Sequence, residues 1–272
     1  MSGIRPKPLI MGILNVTPDS FSDGGKYCSP DAALAHAQNM VSEGADIIDI
    51  GGESTRPGSE PVSEREQLAR IIPVIKTLRT HLPANVMLSV DTTRSRVAQE
   101  ALAAGANMLN DISAGRDDPD MFTVAAKAGV PIALMHMRGK PKNMQDNPEY
   151  EDVVEEVLKF LVERAEVAKA AGVASENIII DPGIGFGKRK EHNLRLIREL
   201  SRFVATGYKV LLGASRKRFM GAICGETRPM ELVGATIATT VLGVSAGVTM
   251  FRVHDVKANR QAADVTAAVL QM

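Results

Sequence analysis

Tryptophan is absent, and aromatic residues of every kind make up only 4% of the 272 positions, so any core must be built from Val, Ile, Leu, Ala and Met. Cysteine is nearly absent as well. Cys28 and Cys224 lie far apart with no metal-ligand spacing, which argues against a disulfide framework or a zinc ribbon and fits two plain thiols in a reducing cytosol. An excess of either charge is also missing: 32 basic and 32 acidic residues leave a formal net charge of +0. No basic patch argues for a nucleic-acid partner, so selectivity for an anion has to be local to a site. No Gly/Ser/Pro-rich stretch is long enough to be a linker and no low-complexity tract interrupts the chain, so residues 1–272 read as one domain. The opening M-S-G-I-R-P-K-P carries no apolar segment and does not read as a signal peptide, which points to a cytoplasmic protein.

The chain instead has a repeated grammar. Eight short apolar runs stop at a polar or charged residue: Asn15, Asp49, Asp91, Asn110, His136, Asp181, Lys217 and the pair Arg252/His254. The runs predict strands at Leu9–Leu14, Ala45–Ile48, Val86–Val90, Asn107–Leu109, Pro131–Met135, Asn177–Ile180, Lys209–Leu212 and Val248–Phe251. Between them, helical stretches are expected at Asp31–Glu43, Ser63–Leu82, Arg94–Ala104, Pro119–Ala128, Glu149–Ala171, Glu191–Phe203, Pro229–Ala246 and Val256–Leu270. Ser63 and Glu66 have the spacing of a capping box, and a glycine follows several of the helices. Eight strand–helix units describe a (β/α)8 TIM barrel, which takes roughly 250 residues and carries its catalytic groups at the carboxyl ends of the strands.

Leu232–Met250 runs 19 residues without a charge, long enough to span a bilayer. It contains several Thr and Gly residues and must also supply a helix and the eighth strand, so a buried helix is the better reading and no membrane partner is expected. Helices on the outer ring normally keep a charged solvent face. This one has none after Glu231, which predicts that a second subunit covers it and that the protein is a homodimer.

Two loops on the carboxyl face are rich in turn-forming residues: N-V-T-P-D-S-F-S-D-G-G from Asn15 to Gly25, and D-I-G-G-E-S-T-R-P-G from Asp49 to Gly58. Taken alone, each is a solvated loop. Their position makes them candidate lids. The Asn15 side-chain carbonyl could ligate a hard cation such as Mg²⁺, and Thr55 and Arg56 offer donors to an anion. Asp91, Asn110, Asp181 and Lys217 stand at further strand ends. Asp91 alone could be a helix cap, but four convergent groups need a ligand with alternating donors and acceptors. Arg216, Lys217 and Arg218 form a basic cluster after strand seven, where barrels often bind phosphate, and Arg252 and His254 on strand eight point the same way. Lys217 could alternatively form a Schiff base, and His136 reads better as a core histidine than as a catalytic one. In I-D-P-G-I-G-F-G-K the glycines run G-x-G-x-G, not the dinucleotide fingerprint, so a tight turn is the better reading. Phe186 within it is a candidate apolar wall.

The two loops, together with M-L-N-D-I-S (Met108–Ser113), L-M-H-M (Leu134–Met137), I-D-P-G-I-G-F-G-K (Ile180–Lys188), G-A-S-R-K-R-F (Gly213–Phe219) and R-V-H-D-V (Arg252–Val256), resemble those of the dihydropteroate synthase family of the folate pathway. The resemblance runs from about Leu9 to the end. It implies transfer of a pterin-methyl group from its diphosphate ester to 4-aminobenzoate. It further implies that Thr55, Asp91, Asn110, Asp181, Lys217, Arg252 and His254 bind the pterin diphosphate, with Asp91, Arg252 and His254 catalytic. Thr55, Arg56, Pro57, Phe186 and Arg218 would enclose 4-aminobenzoate, with Mg²⁺ at Asn15. Two departures stand out. Strand one begins near Leu9, which leaves little room for the extra hairpin some relatives carry, and Arg218 stands where some relatives have Ser. A pterin-dependent methyltransferase and a non-catalytic pterin-binding paralogue are the alternatives.

Overall fold

The computed structural model describes residues 7–17, 29–54, 58–60 and 62–272. Eight parallel strands close into a barrel in sequence order, β1 pairing with both β2 and β8. They are β1 Leu9–Asn15, β2 Ile47–Gly51, β3 Met87–Asp91, β4 Met108–Asp111, β5 Ile132–Met135, β6 Ile178–Asp181, β7 Lys209–Leu212 and β8 Met250–Val253. The helices around them are α1 Pro30–Ser42, α2 Glu64–His81, α3 Ser95–Ala103, α4 Asp120–Ala128, α5 Val153–Ala170, α6 Lys190–Arg198, α7 Leu200–Val204, α8 Arg218–Cys224, α9 Val233–Ala246 and α10 Val256–Val269. The (β/α)8 expectation therefore holds.

The two-residue period of a strand sorts each side chain to one of two cores. Ile10, Leu14, Ile48, Ile50, Leu88, Val90, Leu109, Leu134, Ile180 and Leu212 face outward into the large core shared with the helices. Met11, Ile47, Met108, Ala133, Ile179, Leu211 and Met250 face inward and fill the barrel's middle with a dry plug. Continuing the inward parity two or four residues toward the carboxyl ends gives Asn15, Asp49, Ser89, Asp91, Asn110, Asp181 and Arg252. The same alternation that makes the plug apolar thus delivers a polar ring to the barrel mouth.

Several boundaries differ from the sequence reading. Strand two starts and ends later than Ala45–Ile48, so Asp49 sits inside β2 rather than after it. Strand eight is Met250–Val253 rather than Val248–Phe251, which puts Arg252 on the strand and His254 just past it. The helix expected at Glu191–Phe203 is two helices broken at Glu199, and Pro229–Glu231 is a separate 3-10 turn before α9. Helix α8 was not expected, because R-F-M-G-A-I-C has a central glycine and too few residues to display a helical period. At α2, Ser63 caps the Glu66 N–H at 3.3 Å, but the Glu66 carboxylate pairs with Arg70 instead of returning to the cap. Among the described residues no helix is long and apolar enough to cross a membrane.

Candidate active site

The polar ring is organised around Arg252. Its Nε donates to Asp49 Oδ2 at 2.7 Å and its Nη2 to Asp91 Oδ2 at 2.9 Å, so one guanidinium bridges two carboxylates from different strands. Asn110 Nδ2 donates to the same Asp49 oxygen at 3.1 Å. Asp49 is fully buried. Its other oxygen and the hydroxyl of its register neighbour Ser89 are buried polar atoms with no hydrogen-bond partner. Burial raises Asp91 above the usual carboxylate range. Arg252 opposes that rise and the nearby Asp49 adds to it. Burial likewise works against charge on Arg252, but Asp49 and Asp91 outweigh it and hold the guanidinium above its ordinary value. A fork shared by two acids is firmly ionised, while Asp91 holds a proton more readily than an ordinary carboxyl.

Across the mouth, Asp181 ends β6 and its Oδ1 accepts from the Gly183 N–H at 2.7 Å. The glycines that follow are required by the turn. Gly183 has φ +66, and a Cβ on it would lie 1.9 Å from the His136 carbonyl; Gly187 has φ +63, and its Cβ would lie 2.3 Å from the Arg138 carbonyl. The G-x-G-x-G run is therefore a turn, as its spacing suggests. It presents Phe186, whose ring centroid lies 4.1 Å from the Lys217 Nζ, a cation–π contact across two loops. Burial raises Asp181 to about 6, countered by the Gly183 N–H, Lys217, Lys188 and Arg252. Burial lowers Lys217 to about 8, with Arg252 adding to the drop and Asp181 and Asp91 opposing it.

The basic cluster after β7 divides three ways. Arg216 adopts φ +56 and binds Asp255 with both arms, Nε at 3.0 Å and Nη2 at 2.6 Å, so its charge is taken up away from the mouth. Lys217 turns inward. Arg218 opens α8 and is exposed. The three adjacent cations therefore do not form one patch: the left-handed backbone at Arg216 sends its side chain to Asp255. His254 Nδ1 lies 3.0 Å from the Ser215 hydroxyl, which also accepts from the His254 N–H at 3.2 Å.

Of the residues expected at the site, Asp91, Asn110 and Arg252 are joined through one hydrogen-bonded group, Lys217 lies on Phe186 and within electrostatic reach of Asp181, and His254 sits beside Ser215. Asn15 ends β1 partly buried, its Oδ1 toward Gly51. Thr55, Arg56 and Pro57 lie outside the described residues. His136 is buried against Phe160 and Lys188, which is the core reading. The residue that sequence reasoning left unassigned is Asp49. It was visible as a strand stop, and counting two back from Gly51 at the barrel mouth would have placed it inside with the others. Two clefts elsewhere carry no such convergence. One of about 320 Å³ is lined by apolar residues including Val204, Val248 and Leu270. The other, about 290 Å³, lies within the loop after β5.

Three carboxylates, an amide, an ammonium beside an aromatic wall and a bridging guanidinium can together read a flat heterocycle with donor and acceptor edges, and can hold an anion next to it. The comparisons point the same way. A family model described as "Pterin binding enzyme" matches residues 11–254. The dihydropteroate synthase of Bacillus subtilis is 49% identical over 266 residues, covering 98% of this chain and 90% of that protein. The Xanthomonas albilineans dihydropteroate synthase solved with 4-aminobenzoic acid is 45% identical with a TM-score of 0.90, covering 97% of this chain and 93% of that one. A complex of the Xanthomonas albilineans enzyme with 7,8-dihydropteroate aligns at 42% identity and a TM-score of 0.86, covering 97% and 94%.

Proposed function

Because the chain belongs to the dihydropteroate synthase family of pterin-binding enzymes, we propose that its barrel mouth joins 4-aminobenzoate to the diphosphate ester of 6-hydroxymethyl-7,8-dihydropterin. The bond from the methylene carbon to the diphosphate oxygen breaks, the bond to the arylamine nitrogen forms, and one proton leaves the new secondary amine for solvent. The products are 7,8-dihydropteroate and diphosphate. The observation that carries this reading is the inward ring of Asp49, Asp91, Asn110, Asp181 and Arg252, faced by Lys217 on Phe186. In this reading Asp181 accepts from the pterin's 2-amino group and ring N–H, Asn110 and Lys217 meet its remaining edges, and Arg252 lies against it. Arg252 and His254 hold the departing diphosphate, and Thr55 contributes to the same anion. Departure leaves positive charge that the pterin ring shares, and Asp91 and Asp181 stabilise it. The aromatic amine is neutral at pH 7 and needs no strong base. Phe186, with Thr55, Arg56, Pro57 and Arg218, encloses 4-aminobenzoate.

Mg²⁺ fits the donor set in one specific way. Among the described residues no group of three His, Cys, Asp or Glu side chains could hold a metal. Asn15 offers a single inward carbonyl oxygen, which suits an ion that keeps waters and arrives on phosphate oxygens better than a caged one. When bound, Mg²⁺ would neutralise charge on the leaving diphosphate. The assay that tests the function is diphosphate release that depends on 4-aminobenzoate. Release driven equally well without the amine, or no release at all, would remove the reading. Methyl transfer from a methylated pterin is disfavoured because it gives Arg252 and His254 no diphosphate to hold.

The raised pKa of Asp181 gives a pH dependence with a definite sign. The free carboxyl ionises at about 6, and only the ionised form accepts two N–H groups. Affinity for a pterin analogue that stays neutral should therefore rise as pH climbs through that value and level off above it. Calorimetric titration between pH 5 and 8 checks this, and affinity that is flat or falls with pH contradicts the pterin role of Asp181.

We also propose a cytoplasmic homodimer that buries the face of α9. Leu242 is 54% and Val241 36% exposed on that helix, and Val265 and Val269 on the adjacent α10 are each 65% exposed. Such a strip of apolar side chains beside a charge-free helix is unusual for a solvated surface. Light scattering at micromolar concentration should give twice the chain mass, and Leu242→Glu should shift it toward one. A wild-type monomer, or a dimer indifferent to Leu242→Glu, rejects this interface.

A further inference from the structure

One buried cation has no role in the reaction as described above. Lys188 is only 3% exposed, and its side chain folds back beneath the loop between β6 and α6. Its Nζ lies 2.9 Å from the Gly183 carbonyl oxygen, 3.0 Å from that of Phe186, 3.2 Å from that of His136 and 3.0 Å from His136 Nδ1. Three carbonyl oxygens call for three N–H donors, which the ammonium has and the neutral amine lacks. Burial lowers the pKa of Lys188 well below the ordinary lysine range. Asp181 opposes the drop, while Lys217, Arg138 and Arg116 add to it. Burial, Lys188 and the two arginines hold the His136 imidazole down at about 2, so the pair carries at most one charge, on the lysine. Two further loop carbonyls have other donors: Gln145 Nε2 to Gly185 O at 2.6 Å and Tyr150 Oη to Gly187 O at 2.8 Å. Lys188 is thus the internal post of the turn, and it also ties that turn to the end of β5.

We propose that Lys188 is a positioning residue of this site: its ammonium fixes Phe186 from beneath the loop and supplies the positive charge behind Asp181. The proposal rests on the pterin reading of the barrel mouth. The geometry separates its two effects. Losing the contact at the Phe186 carbonyl releases the wall that faces Lys217. Losing the charge removes one of the three cations that favour ionised Asp181, leaving Lys217 and Arg252. A residue that merely supported the fold would lower the melting temperature without moving the midpoint at which Asp181 becomes able to bind.

The test uses full-length Lys188→Met and Lys188→Gln, the latter keeping two donors without the charge. Wild-type turnover is measured alongside, so that failure of the pterin reading is seen in the wild type and failure of this inference only in the variants. In both variants the pH midpoint of pterin binding should move up by about one unit. At pH 6 the affinity should fall about fivefold, and it should approach wild type at pH 8. The KM for 4-aminobenzoate should rise about tenfold in Lys188→Met and less in Lys188→Gln, whose amide can still serve the Phe186 carbonyl. An unmoved midpoint in a folded variant overturns the proposal. So does failure of both variants to fold, which would make Lys188 a residue of stability alone.

Discussion

Asp181→Ala should abolish most pterin affinity while leaving the barrel folded. The carboxylate ends β6 with one oxygen on the Gly183 N–H at 2.7 Å, which leaves the other free to turn toward the ligand. Removing a charged partner from a buried site costs about 2–5 kcal/mol. The lower figure already corresponds to a loss of about thirtyfold. Part of the deficit would come from the turn, because alanine also gives up the Gly183 contact. Asp181→Asn separates the two. It can keep an acceptor for Gly183, yet it sets an amide where the ligand needs an acceptor, so it should lose nearly as much affinity as alanine. Calorimetry with a pterin analogue at pH 8, where the wild-type carboxyl is ionised, gives the comparison. Alanine binding within about threefold of wild type would sink the assignment.

What the sequence made legible follows from periodicity. Strand parity and strand-end polarity are written locally, so Asp91, Asn110, Asp181, Lys217 and Arg252 could be placed at one mouth without coordinates. Contacts between strands are not written locally. Nothing near Asp49 in the chain shows that its oxygen would meet Arg252, because that pairing is made by barrel closure between β8 and β1. Lys188 was hidden for a similar reason. It closes a motif whose glycines drew the attention, and only the folded turn shows that its side chain runs back under Gly183 and Phe186. The basic run Arg216–Arg218 was misleading because three adjacent cations read as one patch, whereas the backbone at Arg216, with φ +56, separates them. Helix boundaries drifted where helices end on Glu199 or start in a 3-10 turn, since neither has a distinctive residue signal.

Arg252→Met should be the most damaging single change for turnover, and its effect on stability should be separable from its effect on chemistry. The guanidinium neutralises Asp49, which has no exposure to solvent, and Asp91, whose side chain is 7% exposed. Removing it leaves two acids side by side on the paired strands β2 and β3, and stripping one partner from a buried pair costs about 3–5 kcal/mol. In parallel, the diphosphate loses a fixed donor that acts as charge develops, a loss worth about a hundred- to a thousandfold in rate. Adding Asp49→Asn should restore much of the stability. Asparagine removes the uncompensated charge and can still accept from Asn110. It should restore none of the rate, because no cation has been returned. Urea unfolding and steady-state turnover of wild type, Arg252→Met and the double variant give both readouts. The bridging role fails if the double variant is no more stable than the single one. The role in chemistry fails if Arg252→Met keeps more than about a tenth of wild-type turnover.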